Sequence, residues 1–183
     1  DRVPSQPHID MTLAALRDRG VEIDGTQAGT WRVSAGSIEG RELTIEPDLS
    51  NAEPFLIAAI VAGGSVSIED WPETTTQVGS HLKHLLPLFG ATISVVDGVL
   101  TCSVERGIAE GAELPGVDLH LSEAGELAPN LAALCGLCTT PSRITGIAHL
   151  RGHETDRVAA IAAELRGIGC EVNELEDGLE IVP

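Results

Sequence analysis

The feature that most constrains the fold is an order of elements that occurs twice. A strand pattern at 43–45 is followed by a helix pattern at 50–62 that is apolar almost all round. A strand at 65–68 and a one-faced helix at 77–89 come next, with Pro87 expected to bend or end that helix. Two strands at 92–95 and 99–102 then flank Asp97-Gly98. The same order returns: strand 117–121, apolar helix 126–138, strand 143–147, helix 154–168, and strands 171–173 and 179–182 around Asp177-Gly178. A helix at 9–19 and strands at 21–23 and 31–33 precede both copies and read as the second half of a third, after an extended, proline-containing stretch at 1–8. Gly20, Gly90 and Gly169 stop a helix at the same point of each copy. The pattern predicts an α/β (α+β) fold built from βαβαββ units. One partial unit comes first, then two complete ones at about 42–103 and 116–183.

Charge and cysteines narrow the function classes. With 28 acids against 11 bases the formal charge is −17, which argues against nucleic acid or an anionic membrane as partner. An anionic substrate would need arginines gathered at one place. No run approaches the roughly 20 apolar residues of a membrane helix, and Cys102, Cys135, Cys138 and Cys170 fit reduced thiols of a cytoplasmic protein. Cys135 and Cys138 form a CxxC, but it lies in the apolar run L-A-A-L-C-G-L-C without a second ligand pair at zinc spacing, so it reads as core and no metal is expected.

Chemistry concentrates at 150–157, L-R-G-H-E-T-D-R, where the last helix begins. By helical spacing His153, Glu154 and Arg157 share one face, beside free N–H groups that favour an anion. An arginine, an acid and an imidazole there could hold a phosphate or carboxylate and move a proton. The plainer alternative is a first turn carrying acids that the helix dipole favours.

Four stretches carry a family resemblance. P-S-Q-P-H-I-D-M-T at 4–12, P-D-L-S-N-A at 47–52, G-E-L-A-P at 125–129 and R-G-H-E-T-D-R at 151–157 resemble, in order, motifs of the enolpyruvyl transferases, and the likeness covers essentially all 183 residues. The family fold has two domains, each of three βαβαββ units with helices inside and sheets outside, and an active site in the cleft between them. The resemblance implies that the chain is an internal fragment. Residues 1–40 would be the tail of the first, shikimate-phosphate-side domain and 41–183 most of the second.

The branch that the motifs match best transfers the enolpyruvyl group of phosphoenolpyruvate to the 5-hydroxyl of shikimate 3-phosphate and releases phosphate, without cofactor or metal, in aromatic amino-acid biosynthesis. By resemblance, Ser5, His8, Glu126, His149 and His153 would bind shikimate 3-phosphate, and Arg157 phosphoenolpyruvate. Glu154 would protonate the methylene carbon, Glu126 is the candidate base, and Asp48 lies near the cleft. Glu126 stands where the family has aspartate, His153 where it has lysine, His149 where it has asparagine and His8 where it has tyrosine. A histidine at 153 implies activity more sensitive to pH near neutrality. The resemblance further implies a cytoplasmic, monomeric full-length enzyme. The fragment alone is expected to fold from about residue 42 without turnover, and its cut edge could pair with a second copy. Two alternatives remain open: an enolpyruvyl transferase acting on UDP-N-acetylglucosamine, and a non-catalytic acidic α/β interaction module.

Overall fold

The computed structural model describes residue 3 and residues 6–152 and 154–183 of the chain. It forms two compact units, Asp1–Glu46 and Pro47–Pro183.

In the first unit, helix α1 (Gln6–Arg17) precedes a short antiparallel pair, β1 (Ile23–Asp24) and β2 (Arg32–Val33). The helix starts earlier than the prolines suggested. Pro7 lies in the first turn, where a backbone N–H has no partner in any case, so it is tolerated there. Leu13 is the buried residue of α1.

The second unit contains the repeat. Helix α2 (Leu49–Ala62) leads into strand β3 (Gly64–Ile68). The expected helix at 77–89 is instead three joined turns: a 3-10 turn Val78–His81, one α-helical turn α3 (Leu82–Leu85) and a 3-10 turn Leu86–Phe89. Pro87 has no N–H to continue the α pattern, and the chain tightens around it. Strands β4 (Thr92–Val96) and β5 (Val99–Val104) follow, joined by the two-residue turn Asp97-Gly98, both with positive φ as a tight hairpin requires. The second copy runs β6 (Asp118–His120), a 3-10 turn Gly125–Leu127 continuing into α4 (Ala128–Cys135), β7 (Ser142–Thr145), α5 (Arg157–Gly167), β8 (Glu171–Glu174) and β9 (Leu179–Val182).

The sheets show the repeat directly. The first has the order β3-β5-β4 and the second β6-β7-β9-β8, so the last three strands of each copy pair in the same antiparallel way. Strand β6 adds in parallel to β7 across the α4 connection. The counterpart expected at 43–45 forms no strand. Leu119 of β6 is buried, whereas Leu43 is 47% and Ile45 82% exposed, so that segment lacks the burial that anchors β6.

Helices α2 and α4 pack on each other, α2 also against β3 and β5, and α4 against α5 and β7. The core lies among them, with Leu56, Ile60, Leu100, Leu131, Ile144 and Leu179 fully or nearly fully buried. Ser67, Thr101, Asn173 and Glu180 line the outward sheet faces. The helix at 50–62 is not buried all round: Pro54, Phe55 and Ala58 form an exposed face, with Phe55 63% exposed. Cys135 and Cys138 are buried, and burial pushes the Cys135 thiol up to about 12.

Candidate functional site

The N-terminus of α2 is built first by its own sequence. Asp48 caps the helix: its carboxylate accepts from the Asn51 backbone N–H (3.0 Å) and the Asn51 side chain (2.9 Å). Gln77 braces the same turn, accepting from Leu49 N–H (3.0 Å) and donating to the Pro47 carbonyl (2.9 Å). Asp48, expected near the cleft, is therefore engaged in holding the start of α2.

From Ser50 onward, α2 meets α4 and the 3-10 turn before it through two polar rungs. Ser50 Oγ donates to Glu126 Oε1 (2.5 Å), and Asn130 Nδ2 donates to Glu53 Oε2 (2.9 Å). Ser50 and Glu53 are spaced i,i+3 on α2 and so share one face, while Glu126 on the 3-10 turn and Asn130 on the first turn of α4 meet them across the seam. Glu53 is fully buried, and among the described residues its Oε1 has no hydrogen-bond partner. Burial raises its carboxyl to about 8; the Asn130 hydrogen bond works against this and the Glu126 charge adds to it.

His149 reaches the same place from the other direction. It sits on the short turn Ala148–Gly152, which the buried Leu150 anchors, and its ring lies against Gly125. A Cβ at residue 125 would stand 2.5 Å from His149 Nε2, so only glycine leaves the imidazole room beside the Glu126 backbone.

The same turn runs on to the start of α5. The helix begins at Arg157, not at 154, because Asp156 caps it: its Oδ1 accepts from Ala159 N–H (2.9 Å). That hydrogen bond, with help from Arg151, holds the Asp156 carboxyl below its ordinary value. Arg151 ties the cap down, donating to Asp156 (3.0 Å), Glu174 (3.4 Å) and the Leu175 carbonyl (3.0 Å). Glu154 and Arg157 still meet, through the turn before the helix and not along it. Arg157 Nη2 donates to Glu154 Oε2 (3.0 Å) and Oε1 (3.3 Å). The Glu154 side chain is 76% exposed and that of Arg157 36%. Arg157 also borders a largely apolar cavity of about 390 Å³ between α4 and α5, lined by Pro129, Ala133, Ala160, Ile161 and Leu165.

Of the residues singled out in the sequence, Glu126 and His149 come together at Gly125, and Glu154 pairs with Arg157. His8 is exposed on the first turn of α1, in the other unit. Ser5 and His153 lie outside the described residues. Sequence reasoning missed Glu53, although a lone acid inside an apolar helix was a signal, and it missed Asn130 as that acid's partner. The two groupings offer a carboxylate and an imidazole around Gly125 and a carboxylate paired with a guanidinium at the start of α5. Among the described residues no group of three or more His, Cys, Asp or Glu side chains is arranged to hold a metal ion, and no helix is long and apolar enough to cross a membrane.

Known proteins share this sequence and architecture. The sequence profile of the family described as EPSP synthase (3-phosphoshikimate 1-carboxyvinyltransferase) matches residues 1–183. A 3-phosphoshikimate 1-carboxyvinyltransferase of Kocuria rhizophila is 56% identical over 181 residues, covering 99% of this chain and 39% of that protein. The chain thus spans about two fifths of that relative's length. Among solved structures, an EPSP synthase from Acinetobacter baumannii aligns with a TM-score of 0.63 at 24% identity, over 93% of this chain and 40% of its own. The enolpyruvyl transferase NikO from Streptomyces tendae aligns with a TM-score of 0.64 at 19% identity, over 96% of this chain and 40% of its own. At these identities the two structures bear on the fold alone.

Proposed function

The chain belongs to the EPSP synthase family, and on that premise we propose that the full-length protein joins the enolpyruvyl group of phosphoenolpyruvate to the 5-hydroxyl of shikimate 3-phosphate and releases phosphate. The observation that supports this best is the pairing of Glu154 with Arg157 at the mouth of α5, in the unit where His149 lies against the Glu126 turn. A proton donor, an anion-binding cation and a second carboxylate are the groups such an addition and elimination needs.

In this reading the Arg157 guanidinium turns from Glu154 to phosphoenolpyruvate when that ligand arrives. Glu154 then faces phosphate instead of a cation, the surroundings in which a carboxyl keeps its proton. It delivers that proton to the methylene carbon, and the electron-poor C2 is attacked by the 5-hydroxyl oxygen. Glu126 takes the hydroxyl proton, so the addition intermediate forms with no net change in protons. In the elimination a methyl proton returns to Glu154, the proton that Glu126 took passes to the departing phosphate oxygen, the C–O bond to phosphate breaks, and phosphate leaves. His149 orients the shikimate hydroxyls beside Glu126. Ser5, His8 and His153 contact the shikimate phosphate side, with His153 adding a charge that depends on pH near neutrality. Residues 1–40 belong to the first domain of the whole enzyme and 41–183 to the second. The full-length enzyme is a cytoplasmic monomer.

The test is phosphate release by the full-length protein given both substrates, with each omitted in turn. Release that requires both is expected; no release with both present would sink the proposal.

A further inference from the structure

Glu53 is the residue of the second unit that packing explains least. It lies fully buried on α2 between Ala52 and Pro54, and among the described residues its Oε1 has no partner. A buried carboxyl left half-satisfied costs stability that a leucine there would not. Such breaches of packing logic tend to mark functional positions. Its place is specific: one rung deeper than Ser50–Glu126, across the same seam, bonded to Asn130 on the helix that follows the Glu126 turn.

We propose that Glu53 is a positioning residue for Glu126, holding through Asn130 the start of α4 and with it the turn that carries Glu126. The inference rests on the reading of Glu126 as the base and shikimate hydroxyl ligand. A neutral Glu53 lets the Glu126 carboxylate stand at the seam, tied to Ser50, without a second negative charge behind it. An ionised Glu53 would place two carboxylates side by side in a site of low dielectric, repelling Glu126 from its ligand. Titratable groups on the elements packed against α2 are His81, Cys102, Glu110, Cys135 and Glu126, and Asp48 caps the helix itself. Among the described residues, the Glu126 charge acts on Glu53 in the direction that keeps it protonated.

The experiment uses the full-length enzyme, its Glu53→Ala variant and its Glu53→Gln variant. The readouts are kcat and KM for both substrates from pH 6 to about 9.5, and a carboxyl carbon-13 NMR titration. Glu53→Ala is expected to lower kcat/KM for shikimate 3-phosphate at least tenfold at neutral pH, with KM for phosphoenolpyruvate within about twofold. Glu53→Gln supplies a neutral acceptor to Asn130 and is expected to restore that value to within about threefold. The wild-type kcat/KM should fall above pH 8, approaching tenfold per pH unit, and Glu53→Gln should lack that limb. The carboxyl resonance missing from Glu53→Gln should titrate near pH 8. An unchanged alkaline limb in Glu53→Gln, failure of Gln to rescue, equal losses for both substrates, or a Glu53 midpoint in the ordinary carboxylate range would each overturn the role. A wild-type enzyme that binds and converts neither substrate would overturn the functional reading, and this role with it.

Discussion

Gly125→Ala separates the candidate site from the fold more cleanly than removal of any charged group. Residue 125 has no positive φ, so alanine meets no backbone penalty. The new Cβ would lie 2.5 Å from His149 Nε2 and 2.8 Å from Cε1. Ordinary contact needs about 3.5 Å, so the ring must retreat by roughly 1 Å. A hydrogen bond from the imidazole to a ligand does not survive such a shift at normal geometry. One neutral hydrogen bond contributes about 0.5–1.5 kcal/mol net, so KM for shikimate 3-phosphate should rise roughly two- to thirteenfold. Folding should barely notice. Alanine gains up to about 1 kcal/mol over glycine at a helical position, and an off-rotamer imidazole costs about as much, leaving a net change within about 1 kcal/mol. Steady-state kinetics on the full-length enzyme and urea midpoints at constant m-value check both halves. The double variant Gly125→Ala, His149→Ala removes the clash with the ring and should match His149→Ala alone. An unchanged KM in Gly125→Ala, or a stability loss above about 3 kcal/mol, would refute the reasoning: either the ring is not at the ligand, or the backbone yields instead of the ring.

Three further outcomes follow from the same geometry. Asp48→Ala should lower stability by about 1 kcal/mol and Asp48→Asn by a few tenths, because asparagine caps as well as aspartate; equal losses in denaturant titrations would contradict the cap. Glu53 has a folded value of about 8 against 4.5 for the free side chain, so the folded state binds the extra proton between those values and stability falls as pH rises through that window, levelling off above 8. Glu53→Gln should therefore match the wild type below about pH 4 and exceed it by on the order of 3 kcal/mol at pH 7; a gap that does not change with pH, measured by chemical denaturation, would contradict this. Arg157→Ala should raise KM for phosphoenolpyruvate about 10- to 150-fold, the loss of a charged hydrogen bond, with only partial rescue by lysine; kinetics with shikimate 3-phosphate saturating would measure it.

Long-range order was legible because it rests on periodicity. The glycines at 20, 90 and 169 all have positive φ at helix ends, and the β3-β5-β4 and β7-β9-β8 pairings repeat as the two-copy pattern required. Local exceptions were not legible because they depend on neighbours. The strand expected at 43–45 alternates correctly but finds no burial. The start of α5 shifts to Arg157 because the Asp156 side chain competes for the first N–H groups, which spacing alone does not reveal. Within the site, the Glu154–Arg157 pair could be anticipated from three-residue spacing, though it forms through a turn. Glu53 could not be ranked, since an acid in an apolar run gains meaning only when Asn130 and Glu126 are seen across the seam.

The central claim is that Glu154 donates the proton that starts the reaction. The most direct measurement is phosphate release by the full-length Glu154→Gln enzyme, which keeps the shape and the Arg157 hydrogen bond but has no acidic proton. A positioned general acid is worth about 10²- to 10⁴-fold. The account predicts a loss of kcat in that range, with KM for both substrates changed by no more than a few-fold. A kcat within tenfold of wild type would contradict it.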